Sequence, residues 1–176
     1  MTAANIDRVF LVGISGAGKS SVATVLAQRL GWKAQDTDTE VERRTGRTIP
    51  WLFANKGEAV FRGFEQSAVL ELAGRPRQVV ALGGGAFVNP LSRATLLRRG
   101  LVVWLDVDPD EAAHRLGPAL ADEPRPMLGN DPANRLRALR AERLAAYQQA
   151  HLHLNANHKS IPTIATEILT ALKLTP

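Results

Sequence analysis

Arg8-Val9-Phe10-Leu11-Val12-Gly13-Ile14-Ser15-Gly16-Ala17-Gly18-Lys19-Ser20 joins a short apolar run to a turn that satisfies G-x-x-x-x-G-K-[S/T]. The residues that follow, Ser20 to Leu30, carry a helical period. Strand, glycine-rich turn and helix together form the setting in which this pattern cradles phosphate. Its glycines let backbone N–H groups turn inward, the helix presents its positive N-terminus, and Lys19 can reach β- and γ-phosphates. Ser20 offers a hydroxyl to Mg²⁺. Gly16, Ala17, Gly18, Lys19, Ser20 and Ser21 are therefore expected nucleotide contacts. A glycine-rich turn that merely ends in Lys-Ser is the bland alternative, and the strand and helix on either side weigh against it.

Outward from this turn, short apolar runs alternate with helical segments. Arg8–Val12, Val79–Leu82 and Leu101–Leu105 read as buried parallel strands, with Lys33–Asp36 and Leu152–Asn155 as weaker ones that complete a five-stranded sheet. Helical patterns are expected over Ser20–Leu30, Glu58–Ala73, Pro90–Arg99, Pro132–Ala150 and Pro162–Leu172. Asp131 and Pro132 suit the N-cap and N1 positions of the fourth. The βαβ alternation predicts an α/β fold of three layers, a parallel sheet flanked by helices.

At 176 residues the chain matches one domain. No apolar run approaches a bilayer span and no leader pattern opens the chain, so a soluble protein without a membrane partner is expected. The absence of cysteine removes disulfides and thiolate chemistry and suits a reducing cytoplasm. The net charge of +5 is spread among acidic residues, with no basic tail and few aromatics, which favours small anionic substrates over nucleic acid.

The phosphate loop alone allows a switch, a motor or a kinase. Asn55-Lys56-Gly57-Glu58 resembles a guanine-reading N-K-x-D but ends in Glu and follows a helical segment; it reads as a helix end with a restart at Gly57. Asp36 and Asp38 close the second strand, where an i, i+2 spacing in extended chain would put both carboxylates on one side. One could hold water on Mg²⁺ and the other accept a hydrogen bond from the hydroxyl that attacks phosphorus. Helix capping by Thr37, Asp38 or Thr39 is the competing reading. Asp106, at the end of Leu101–Leu105, competes with Asp36 for the metal role, although Asp106 or Asp108 would also cap a helix at Pro109.

Arg143 falls on the apolar stripe marked by Leu136, Leu139 and Tyr147. An arginine on that face needs a carboxylate or an anionic ligand to offset its desolvation. Arg62 and Glu65 share a helix face at i, i+3 and would pair with one another. Gly83-Gly84-Gly85 would admit backbone close to a ligand or form a tight turn. Gly117–Asn130, with three prolines, reads as too broken for a helix and as either a surface loop or a flap stiffened around Arg125. His151, His153 and His158 read as surface residues.

Taken together, the phosphate loop, Asp36-x-Asp38, Gly57-Glu58-x-x-Phe61-Arg62-x-x-Glu65, Leu82-Gly83-Gly84-Gly85-Ala86, Arg125-Pro126-x-Leu128 and Arg143 before Tyr147 resemble the shikimate kinase family over nearly the whole length. The resemblance implies a P-loop kinase fold like that of the nucleoside monophosphate kinases, with a substrate-binding region over 37–65 and a lid over 115–130. It implies phosphorylation of the 3-hydroxyl of shikimate by ATP with Mg²⁺. Asp38 would be base or orienting group, with Arg62, Arg143, Glu65 and Gly83, Gly84 and Gly85 around the acid. Lys19 and Arg125 would neutralise the transferred phosphoryl group, Ser20 and Asp36 would hold the metal, and Lys159 would stand near the nucleotide. A cytoplasmic monomer is implied as well. The stretch from Arg115 to Arg125 runs about three residues longer than the family's usual lid, and His158-Lys159 replaces the basic residue expected near adenine. Aminoshikimate or another cyclic polyol acid is the rival acceptor, and a catalytically silent nucleotide-binding regulator is the rival class.

Overall fold

The structure is a computed structural model that describes residues 6–120, 128 and 131–174. Strands β1 (Arg8–Val12), β2 (Lys33–Asp36), β3 (Gln78–Ala81), β4 (Leu101–Asp106) and β5 (Leu152–Asn155) pair in the order β2-β3-β1-β4-β5, all parallel. β1 is central: Val9 pairs with Val79 on one side and Leu101 on the other. Helices cover both faces, which is why β1, β3 and β4 are apolar along their length and buried. The edge strands β2 and β5 are polar and only half-buried, which explains their weaker signal.

The helices are α1 (Lys19–Leu30), α2 (Thr37–Thr45), α3 (Ile49–Lys56), α4 (Glu58–Gly74), α5 (Pro90–Arg99), α6 (Pro109–Leu120), α7 (Pro132–Tyr147) and α8 (Ile161–Leu174). Several ends are set by local chemistry. The Asp131 side chain accepts from Asn134 N ahead of Pro132, and Asn89 does the same for α5. Gly57 ends α3 and starts α4, as the reading of Asn55–Glu58 expected. A second, smaller core of Val41, Leu52, Phe61 and Ala68 packs α2, α3 and α4 into the 37–65 region.

Three expectations need correction. β2 stops at Asp36, whose carboxylate accepts from Asp38 N at 2.9 Å and caps α2. Asp38 therefore stands in the first turn of a helix instead of in extended chain, and the cap is Asp36, not one of the three residues after it. The segment from Gly117 was read as too broken for a helix, yet α6 continues to Leu120. Pro118 falls in the last turn of α6, so the one ladder bond that its missing N–H removes lies at the helix end. Helix α7 ends at Tyr147, three residues before the expected Ala150, with Gln148 as its cap. Arg125 lies outside the described residues, as do 121–127 and 129–130.

Candidate active site

The loops that leave the C-terminal ends of β1, β2 and β3 meet over one cleft of about 520 Å³. At its floor is the 13–20 turn. Gly18, the N-cap of α1, adopts φ 83, and an added Cβ at Gly16 would strike the carbonyl of Ala112 in α6. Both positions need glycine, one for its left-handed backbone and one for close approach. Lys19 Nζ donates to the carbonyls of Gly13 and Ile14 at 2.9 Å each, so its ammonium is folded over the turn. Ser20 Oγ donates to Asp36 Oδ2 at 2.7 Å. That pairing brings a hydroxyl and a carboxylate together beside the phosphate loop, an all-oxygen donor pair of the kind Mg²⁺ takes.

The opposite wall is the Gly83-Gly84-Gly85 turn after β3. It is pinned from two sides: Gly83 N donates to Thr37 Oγ1 at 2.7 Å, and Tyr147 OH donates to the Gly84 carbonyl at 2.6 Å. Each glycine faces a charged group. A Cβ on Gly83 would lie 2.6 Å from Glu65 Oε1 and 2.7 Å from Asp38 Oδ1. One on Gly84 would lie 2.8 Å from Arg143 Nη1, and one on Gly85 2.6 Å from Arg62 Nη1. The turn is thus a bare backbone shelf against which two acids and two arginines converge.

Arg143 is only 6% exposed, the buried arginine that its place on the α7 stripe predicted. Arg62 Nη1 donates to Glu65 Oε2 at 2.7 Å and Nη2 to Glu58 Oε1 at 3.1 Å, so the i, i+3 pairing exists, and the same arginine still borders the shelf. Burial pushes the Glu65 carboxyl above the usual carboxylate range, with the Arg62 and Arg143 guanidiniums pulling the other way. Arg62, Glu65, Gly85 and Arg143 also line a smaller adjoining cavity of about 210 Å³.

Most of the residues singled out from the sequence gather here: Gly16, Gly18, Lys19, Ser20, Ser21, Asp36, Asp38, Gly83, Gly84 and Lys159 line the larger cleft. Ala17 is fully buried beneath the loop and is not part of that lining. Lys159 pairs with Glu167 at 2.8 Å at the cleft's far end. Asp106 takes no part: Arg140 grips it with two bonds of 3.0 Å, and His153 Nε2 lies 3.0 Å from its second oxygen. Among the described residues no group of three or more His, Cys, Asp or Glu is placed to hold a metal, and His151 Nδ1 accepts from Val102 N, tying the start of β5 to β4.

Three contributors were missed. Thr37 and Tyr147 hold the glycine shelf, and only tertiary contacts reveal either. Arg115 lines the nucleotide cleft together with Ser160 and Ile161. Its i, i+4 spacing from Glu111 was a readable sign of a helical pair reaching into the start of the segment assigned to the lid.

A cleft with a phosphate loop at one end and an acid-and-arginine shelf at the other fits transfer between a nucleotide and a small anionic acceptor. The family model described as shikimate kinase matches residues 15–173. The chain is 41% identical to the shikimate kinase of Symbiobacterium thermophilum over 168 residues, covering 94% of this chain and 95% of that one. It is likewise 41% identical to the shikimate kinase of Halorhodospira halophila over 97% of this chain and 96% of the relative. The chain belongs to the shikimate kinase family. A member of this family is an ATP-dependent kinase of the shikimate pathway. The solved shikimate kinase of Acinetobacter baumannii in complex with shikimate superposes with a TM-score of 0.91 at 36% identity, over 96% of this chain and 94% of that one. A gluconokinase from Sinorhizobium meliloti, 17% identical at a TM-score of 0.57, shares the fold alone. The five-stranded parallel P-loop kinase architecture expected from the sequence is the one observed.

Proposed function

We propose that the chain binds Mg²⁺-ATP with its triphosphate in the 13–20 loop and transfers the γ-phosphoryl group to the 3-hydroxyl of shikimate, giving shikimate 3-phosphate and ADP. The observation that carries this is the convergence of Asp38, Glu65, Arg62 and Arg143 on the Gly83–Gly85 shelf, across the cleft from the phosphate loop. A carboxylate-bearing triol satisfies that set: Arg62 and Arg143 grip its carboxylate, Asp38 faces its hydroxyls and Gly84 offers backbone. Glu65 orients Arg62 through their 2.7 Å bond.

Asp38 accepts the proton of the attacking hydroxyl while a new O–P bond forms and the bond from the γ-phosphorus to the bridging oxygen breaks, its electron pair leaving with ADP. Lys19 exchanges its carbonyl partners for phosphate oxygens and offsets charge on the bridging position. Ser20 and, through water, Asp36 would hold Mg²⁺, which when bound supplies positive charge beside the β- and γ-phosphates. The nucleoside end of ATP lies along Arg115, Lys159 and Ile161, whose guanidinium, ammonium and apolar surface suit a planar base and its ribose.

We assign Arg125 to the same phosphoryl group on closure of the 115–130 lid over a single domain, with the acceptor held by the 37–65 region. A cytoplasmic location fits the absence of cysteine, and the family resemblance favours a monomer. Light scattering of the purified chain reads the oligomeric state. The deciding experiment is coupled detection of ADP with Mg²⁺-ATP and shikimate, aminoshikimate or quinate in turn. Turnover is expected with shikimate; release of ADP that is independent of every acid overturns the reading.

A further inference from the structure

The turn between β5 and α8 is stitched at four points to the end of β4, the turn after it and the first half of α6. Ala156 N donates to the Asp106 carbonyl at 2.7 Å, and Asp108 N to Asn157 Oδ1 at 2.6 Å. Arg115 Nη2 donates to the Ala156 carbonyl at 2.8 Å. Glu111 lies at the centre, taking His158 N on both oxygens at 3.0 and 3.2 Å and Arg115 Nη2 on Oε1. His158 holds a left-handed φ of 53 to present that amide, a strained backbone for a residue with a side chain. Burial works against the charged form of Glu111, but the His158 amide and the Arg115 guanidinium outweigh it and keep the carboxyl below its ordinary range.

Both stitched segments rest on the phosphate loop. The carbonyl of Ala112, next to Glu111, abuts Gly16, and Ile161 Cδ1 would lie 3.1 Å from a Cβ on Gly18. Arg115, on the same helix one turn after Glu111, borders the nucleotide cleft together with Lys159, Ser160 and Ile161. One carboxylate therefore sets two parts of the lining at once: the direction of the Arg115 guanidinium and the position of the turn bonded to it.

We infer that Glu111 is a positioning residue for the nucleoside end of ATP, holding Arg115 and the 156–161 turn at the separation that accepts a planar base. It touches neither substrate and acts through Arg115 and His158. The inference rests on the proposed placement of the nucleoside against Arg115, so its test carries both residues. Removing the charge at Glu111 frees Arg115 to turn toward solvent and lets the strained His158 relax, widening the slot at one end of the cleft only. The acceptor shelf is built on α2, α4 and α7 and does not share these contacts.

The test compares Glu111→Gln, Arg115→Ala and the double variant in the full chain, reading KM for ATP and for shikimate from the same preparations. Glu111→Gln keeps the shape of the side chain, and an unchanged KM for shikimate certifies the fold of each variant. Expected for Glu111→Gln is a rise in KM for ATP of about fivefold or more with kcat nearly unchanged, and a double variant no worse than Arg115→Ala. If Arg115→Ala raises the KM for ATP and Glu111→Gln does not, or if Glu111→Gln raises both KM values together or abolishes folding, Glu111 is structural only and the inference fails. If Arg115→Ala leaves the KM for ATP unchanged, the placement of the nucleoside fails instead.

Discussion

Tyr147 donates its hydroxyl to the Gly84 carbonyl at 2.6 Å from a ring that is fully buried at the end of α7. The same helix carries Arg143 one turn earlier, so a single hydrogen bond sets the distance between the glycine shelf and the arginine above it. Tyr147→Phe removes that bond together with the hydroxyl's hydrogen bond to Arg143. The expected result is a KM for shikimate raised severalfold, an unchanged KM for ATP, and a stability loss of about 1 kcal/mol, read by steady-state kinetics and denaturant melts.

Gly84→Ala tests the shelf itself. The added methyl would stand 2.8 Å from Arg143 Nη1, below contact distance, and the arginine must turn away to admit it. We expect kcat/KM for shikimate to fall about tenfold or more with Tm within a few degrees of wild type. A Tm collapse with normal residual kinetics would place the glycine in folding instead.

Arg143→Ala should raise KM for shikimate far more than for ATP. Truncating a buried charged partner costs about 2–5 kcal/mol, which leaves little measurable binding of the acid. Lysine should rescue poorly because it cannot reproduce a planar two-point grip. Equal effects on both substrates would reduce Arg143 to a structural ion pair.

Glu65 gives a pH signature. Burial raises its carboxyl, so on acidification it takes up a proton at a higher pH than an ordinary glutamate and Arg62 loses the nearer of its two charged partners, Glu58 remaining. The KM for shikimate should therefore climb on the acid side before exposed carboxylates titrate. In Glu65→Gln the KM should be raised at neutral pH and flat through that range, and a wild-type acid limb retained in this variant would count against the assignment.

Stability against acid should depend on Glu40, a buried carboxylate that accepts from Arg43 and Arg44 at 2.7–2.8 Å. The Arg43 hydrogen bonds, with Arg44 adding to them against burial, hold its carboxyl down at about 2, well below the ordinary carboxylate range. A lowered folded-state value contributes stability that is fully present above the unfolded value and lost as pH falls from 4.5 toward 2. Glu40→Gln should lower stability near neutral pH by about 2 kcal/mol and flatten the loss between pH 4.5 and 2, measured by melts across that range.

The two acids of Asp36-x-Asp38 show where one-dimensional pattern stops. Their importance was legible from their place one strand after a phosphate loop, but the extended geometry assigned to them was not, because Asp36 caps a helix and turns Asp38 into its first turn. Asp106 looked equally good as the end of an apolar strand. Only the fold shows that Arg140 and His153 occupy its carboxylate while Ser20 points to Asp36.

By itself the sequence determined the sheet, the phosphate loop and the buried character of Arg143, since each follows from local chain chemistry: apolar runs that need two covered faces, glycines at close approach, and a charge on a helix's apolar stripe. Tertiary structure decided the rest. Which glycine meets which charged side chain, that Thr37 and Tyr147 clamp the shelf, and that Glu111 draws His158 and Arg115 together are matters of distance between segments dozens of residues apart. No local preference encodes those distances; they are set when the helices pack onto the sheet and bring the ends of its strands to one cleft.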